Sequence, residues 1–255
     1  MSYIPNRDFL VEVHKGNVPG HSIVHKFGRN PSVAAATEEG VLQVAADFNW
    51  LTAATTVRIK SGGNANDTAA GNGAREVTVY GLDDTGAAAN EAIATAGASE
   101  STATTTSFWR VFRAVVTSAG TYTGNNDGNI VIENGAGGTD LIQISATEGQ
   151  SQFGAYSVPL ATTAYLLYVD AQVGTANNEA AIRVWTRDDL TDASAPVKAK
   201  RLRHIFPGIS GLFEFQPRSP SGSFPALSDI WLTAEAGGGS TSDVSIDFEL
   251  LLVAD

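Results

Sequence analysis

Val244-Ser245-Ile246-Asp247-Phe248-Glu249-Leu250 alternates apolar and polar residues without a break. A period of two is the pattern of a strand with one face in a core and the other toward water. Val244, Ile246, Phe248 and Leu250 are therefore expected to face inward, and Ser245, Asp247 and Glu249 outward. Helical periodicity is almost absent from the rest of the chain, whereas short runs of this kind recur between turn clusters. They fall at 9–13, 56–60, 76–82, 107–116, 129–132 and 141–144, then at 154–158, 164–173, 180–187, 197–205, 211–216, 230–234 and 244–253. Gly62-Gly63-Asn64, Gly71-Asn72-Gly73, Asp83-Asp84-Thr85-Gly86 and Gly124-Asn125-Asn126-Asp127-Gly128 separate them. Gly and Asn adopt positive φ at little cost, so these clusters read as hairpin turns and strand connections.

Two segments depart from this pattern. The stretch 86–106 is dominated by Ala, Thr, Ser and Glu with no amphipathic stripe, and reads as loop with at most a short strand. The stretch 16–46, punctuated by Pro19, Gly20, Gly28 and Pro31, reads as part of an extended arm. A polar link at Glu148-Gly149-Gln150-Ser151 suggests a boundary. The expected fold is thus all-β, with two β-sandwich or jelly-roll-like domains, at 47–148 and 149–255, behind an extended N-terminal arm over 1–46. A chain of 255 residues is long enough for two cores.

Composition narrows the function. The formal net charge is -11, drawn from only 17% charged residues, so no nucleic-acid partner is expected, because phosphate binding needs clustered Lys and Arg. There is no Cys, hence no disulfide framework, thiolate metal site or thiol nucleophile. The opening residues lack a basic segment followed by an apolar one, and no run approaches the roughly 18 apolar residues of a membrane span. A soluble chain without an export signal or a membrane partner is expected.

Candidate chemistry is sparse. His21 and His25 have the i, i+4 spacing of a helical metal pair, but on a strand the two imidazoles stand about 13 Å apart, so they read as surface or interface histidines. His14 and His204 complete no set. Asp83-Asp84 and Asp188-Asp189 sit beside Gly or Thr and read as solvated turn caps in place of acid/base or calcium groups. Asn125-Asn126-Asp127-Gly128-Asn129 lacks the spaced acids and closing Glu of a calcium loop. With no nucleophile elbow, phosphate loop or dinucleotide fingerprint, the expectation is no catalytic residue, no cofactor, no metal and no enzyme.

Candidate contact residues are easier to name. Lys198-Ala199-Lys200-Arg201-Leu202-Arg203-His204 is the most basic run. Read as a strand, it is either a solvated edge protected by its charges or an electrostatic contact for an acidic partner. Phe108-Trp109-Arg110-Val111-Phe112 is apolar on both faces, which suggests burial between layers or subunits. The proline-rich loop at 217–223 is a candidate contact tip. His21, His25, Lys26 and Arg29 on the arm, Lys198, Lys200, Arg201 and Arg203 in the basic run, and Trp109 form the proposed partner-binding set.

Several stretches carry a likeness. Asp67-Thr68-Ala69-Ala70-Gly71-Asn72-Gly73-Ala74-Arg75-Glu76-Val77, continuing through Asp83, and Phe108-Trp109-Arg110-Val111-Phe112-Arg113-Ala114, continuing through Gly120, resemble a group of tailed-bacteriophage virion proteins. Glu148 to Pro159, Thr163-Ala164-Tyr165-Leu166, Gly16-Asn17-Val18-Pro19-Gly20-His21 and Lys26-Phe27-Gly28-Arg29-Asn30 look similar to the same group, so the likeness covers much of 14–170. The resemblance implies a particle component assembled in the host bacterial cytoplasm, with no catalytic residues to carry over. A capsid cement or decoration protein, seated as a homotrimer on the major capsid protein, is the first expectation. A tail-fibre or receptor-binding module, or a tail or neck assembly component, is the alternative.

Overall fold

The computed structural model describes residues 8–174, 179–217, 222–239 and 241–255. A short helix, α1 (Phe9–His14), precedes β1 (His21–Val33), β2 (Glu39–Gly40), β3 (Val57–Ile59), β4 (Ala74–Asp83), β5 (Ala88–Ala94), β6 (Phe108–Ala119), β7 (Ile130–Asn134) and β8 (Asp140–Ile144). There follow β9 (Ala155–Ser157), β10 (Thr162–Val173), β11 (Ala180–Arg187), β12 (Arg201–Ile209), β13 (Gly211–Phe215), β14 (Ser223–Phe224), β15 (Asp229–Ala236) and β16 (Ser242–Ala254). The protein is all-β.

The deciding strand behaves as its alternation requires. Val244, Ile246, Phe248 and Leu250 of β16 are buried, while Asp247 and Glu249 are half-exposed. β16 lies inside the first sheet, ordered β1-β16-β10-β13 with β14 also on β10. The second sheet runs β12-β11-β15-β2, with β9 also on β15. The two face each other as a sandwich whose core joins Leu166, Val169, Ile246 and Phe248 to Ile182, Val184, Ile230 and Leu232. Fully burying each of these larger side chains contributes about 2 kcal/mol.

Two three-stranded sheets, β3-β7-β8 and β5-β4-β6, build a second core around Val57, Val77, Val79, Phe108, Ile132 and Ile142. That core also takes in Phe153, Ala155 and Trp231, while Val33 and Val41 belong to the sandwich core. The link at 148–151 is stitched to β6, with Val116 N donating to Gly149 O and Ser151 N to Ala114 O.

Four local expectations change. Residues 9–13 form a helix and not a strand, started by Asp8, whose carboxylate accepts from Val11 N at 3.1 Å in the manner of an N-cap. The arm gives way at His21–Val33 to a strand that pairs antiparallel with β16 from His21↔Val253 to Asn30↔Val244, and Glu39–Gly40 pairs with β15. Its pattern is hidden because the buried positions along most of β1 are Lys26, Gly28 and Asn30, and the one apolar buried residue, Val33, comes only at its end. Glycine is required at 28: a Cβ there would stand 2.4 Å from Val41 O and 2.5 Å from Gly154 N. Within 86–106, β5 is a seven-residue strand on β4, unreadable as one because its faces are nearly all exposed or half-exposed. The basic run also enters strand only at Arg201, so Lys198 and Lys200 lie in the preceding loop.

Candidate interaction surface

The strand geometry of β1 separates His21 from His25. His21 Nδ1 lies 2.9 Å from Pro19 O, with its ring edge-on to Phe9. His25 Nε2 lies 3.1 Å from Asp247 Oδ1 and stacks on Phe27. Among the described residues no group of three or more His, Asp or Glu is placed to hold a metal ion. Arg29 forms a two-point pair with Asp243, at 3.0 and 2.7 Å, and that hydrogen-bonded carboxylate raises the guanidinium pKa.

Lys26 is not at the surface. Its ammonium donates to Phe112 O and lies 5.6 and 6.0 Å from the ring centres of Phe112 and Phe153. Burial, with the Arg113 charge adding to it, pushes its pKa down to about 7. Trp109 is half-buried, and its indole N–H donates to Asp84 O at 3.2 Å.

The basic run is held largely by the chain itself. Lys198 Nζ lies 3.2 Å from Asp189 Oδ2, and Arg201 pairs with Asp188. The adjacent acids at 188–189 are thus the counter-ions of the run, a pairing across 9 and 13 residues that composition alone does not disclose. Lys200 Nζ stands 4.3 Å from the centre of the Trp185 ring, and the Arg203 guanidinium 4.7 Å from that of Phe224.

What stands out on this flank is apolar. β12 ends the second sheet and β13 ends the first, and one residue, Ser210, joins them. Phe206 contacts Phe213 and Phe215 at 4.9 and 5.0 Å between ring centres, and His204 contacts Phe215 at 5.1 Å, which closes the side of the sandwich. Burial, and then Arg203, lowers the His204 pKa. Alternation turns Ile205, 48% exposed, out of the second sheet and Leu212, 71% exposed, out of the first, on the side of Glu214, while the bulge between Leu202 and His204 turns Leu202, 45% exposed, out beside Ile205. Sequence reasoning missed these three. The available signal was Leu212, apolar yet out of phase with Phe213 and Phe215. The proline-rich loop at 217–223 cannot be placed beside this flank, because 218–221 lie outside the described residues.

The other broad surface is acidic. On the outward side of the first sheet Asp170 lies in register with both Asp247 and Glu214. Burial and those carboxylates raise its pKa.

No protein-family model matches the chain, and no curated protein matches it. Among solved structures, that of infectious bursal disease virus Gt strain aligns at 10% identity over 97% of this chain and 78% of the other, with a TM-score of 0.25. The VP2 subviral particle of infectious bursal disease virus aligns at 11% identity over 92% and 72%, with a TM-score of 0.24. At TM-scores this low the likeness carries no inference about fold or role.

Proposed function

We propose that the chain is a non-enzymatic structural component of a tailed-phage particle, namely a capsid cement or decoration protein that forms homotrimers and binds the major capsid protein. One observation carries the reading: two sheet edges meet at the β12–β13 corner, with Leu202 and Ile205 turned to solvent on one side of it and Leu212 on the other. Natural edge strands are normally guarded by charge, bulges or cover. The charges on β12 are engaged by Asp188, Phe224 and the adjoining loop, so the apolar residues beside them are left to be covered by another surface. The resemblance of 14–170 to phage virion proteins supports the same reading, and supplies the particle.

An interface of this kind depends on apolar burial, so it tolerates salt better than an electrostatic one. The test is co-sedimentation of the purified protein with emptied heads that lack tails. Binding in numbers comparable to the capsid subunits is expected, and Leu212→Lys should remain in the supernatant with an unchanged melting temperature. Failure of the unaltered protein to bind, or binding by Leu212→Lys equal to it, overturns the proposal.

A further inference from the structure

On the opposite side of the second sheet from the sandwich core, β15 presents Asp229, Trp231 and Thr233 in alternation, because Ile230, Leu232 and Ala234 between them point into that core. Their register partners on β11 are Arg187, Trp185 and Arg183. The second core covers this face only in part. Beside Trp50 and Asp47 it leaves a cleft of about 340 Å³, which Glu38 and Lys200 also line. Clefts of this size at the seam between packed units are the usual place for a small ligand.

The lining limits the chemistry. Three of the chain's four tryptophans gather here: Trp50 and Trp231 line the cleft with ring centres 5.5 Å apart, and Trp185 lies behind Lys200. Asp229 is already neutralised by Arg110, at 2.9 Å. Glu38 pairs with Arg183, which also holds Glu235, so the remaining charges, Glu38, Asp47 and Glu235 against Arg183, Arg187 and Lys200, balance. A phosphate would face the carboxylates, a metal ion the cations and a lipid tail both, so none of these is well matched. A neutral polyhydroxylated ligand is matched, since each hydroxyl both donates and accepts.

Two details fit that class. Arg187 lines the cleft in a fixed pose, because its Nη2 is held by Asp192 O. The Trp185 indole is fixed by its N–H, which donates to Glu38 Oε1 at 2.8 Å and Thr233 Oγ1 at 3.0 Å, and its face carries the ammonium of the exposed Lys200 at 4.3 Å. The electron-rich face of an indole attracts the C–H face of a sugar ring as it attracts an ammonium. We infer that this cleft is a glycan-binding site: a neutral sugar ring displaces the Lys200 tip from Trp185, and its hydroxyls bond to Asp47 and Arg187. The inference stands apart from the particle reading and from the apolar flank.

Asp47 is exposed and accepts from its neighbour Phe48 N at 2.8 Å, so it can be changed without disturbing either core. The intact protein is titrated with maltose, cellobiose, lactose and chitobiose, with sodium phosphate and calcium chloride alongside, and tryptophan fluorescence is followed. A saturable change with at least one disaccharide is expected. It should weaken about tenfold in Asp47→Ala, as for loss of a charged hydrogen bond, and vanish in Asp47→Trp, which fills the mouth, while both variants keep the parent melting temperature. No saturable response to any of the sugars, a response only to phosphate or calcium, or sugar binding unchanged in both variants would overturn the assignment.

Discussion

Lys26 shows how far one residue's role depends on its surroundings. On a free arm it would be an exposed cation available to a partner, but on β1 its amine is enclosed by Phe112 and Phe153 with a backbone carbonyl as acceptor. Its folded pKa, near 7, lies below its ordinary value of 10.5. Between those values the unfolded chain holds the proton and the folded chain releases it, so stability rises with pH across that window. Below about 7 both states are protonated, and the penalty of the buried charge is fully present. From pH 7 to 9 the folded state should therefore gain about 2 kcal/mol from this group alone. Lys26→Met removes the titration. Urea melts at the two pH values should show that gain in the parent and a flat response in the variant; equal slopes in both would place the lysine in water.

At the scale of elements, β1 is the strand on which most depends. Its ladder with β16 covers an edge of the sandwich, and its Phe27 O accepts from Phe153 N at 2.9 Å, where the second core begins. Removing 2–30 should therefore abolish cooperative folding, read as loss of a thermal transition by circular dichroism. A folded, soluble product would show that the segment is an arm after all. The contrast with β16 explains what the sequence disclosed. β16 puts four large apolar side chains on one face, so its alternation is visible letter by letter. β1 puts Lys26, Gly28 and Asn30 inward before Val33, so there is no apolar rhythm to read, and at Gly28 the backbone of Val41 and Gly154 comes too close for a side chain. The helix at Phe9–His14 is too short to show a period. The contact flank was half legible: the basic letters of 198–203 and the out-of-phase Leu212 were plain, but the counter-ions at 188–189 and the outward turn of Leu202 come from the pairing of β12 with β11.

Across the whole molecule the two cores are fastened by a buried ion pair that no local pattern announces, since its partners are 119 residues apart. Arg110 donates to both oxygens of Asp229, at 3.0 and 2.9 Å, and to Leu51 O and Trp109 O, while Ser157 Oγ donates to Asp229 Oδ1 at 2.6 Å. Both side chains are nearly inaccessible. Removing one partner strands the other charge, so Arg110→Ala should cost about 3–5 kcal/mol by calorimetry. A cost below about 1 kcal/mol would mean the pair is solvated.

A body tied together in this way, with an apolar flank left open, is suited to covering a partner surface. The proposed partner is a phage shell. This is tested most directly by a density map of the assembled particle containing this chain. Density for the chain is expected in many copies on the outer face of the shell, around local threefold positions, with β12 and β13 against a neighbouring subunit. Absence of the chain from the particle, or a few copies confined to the tail with that flank facing solvent, would contradict it.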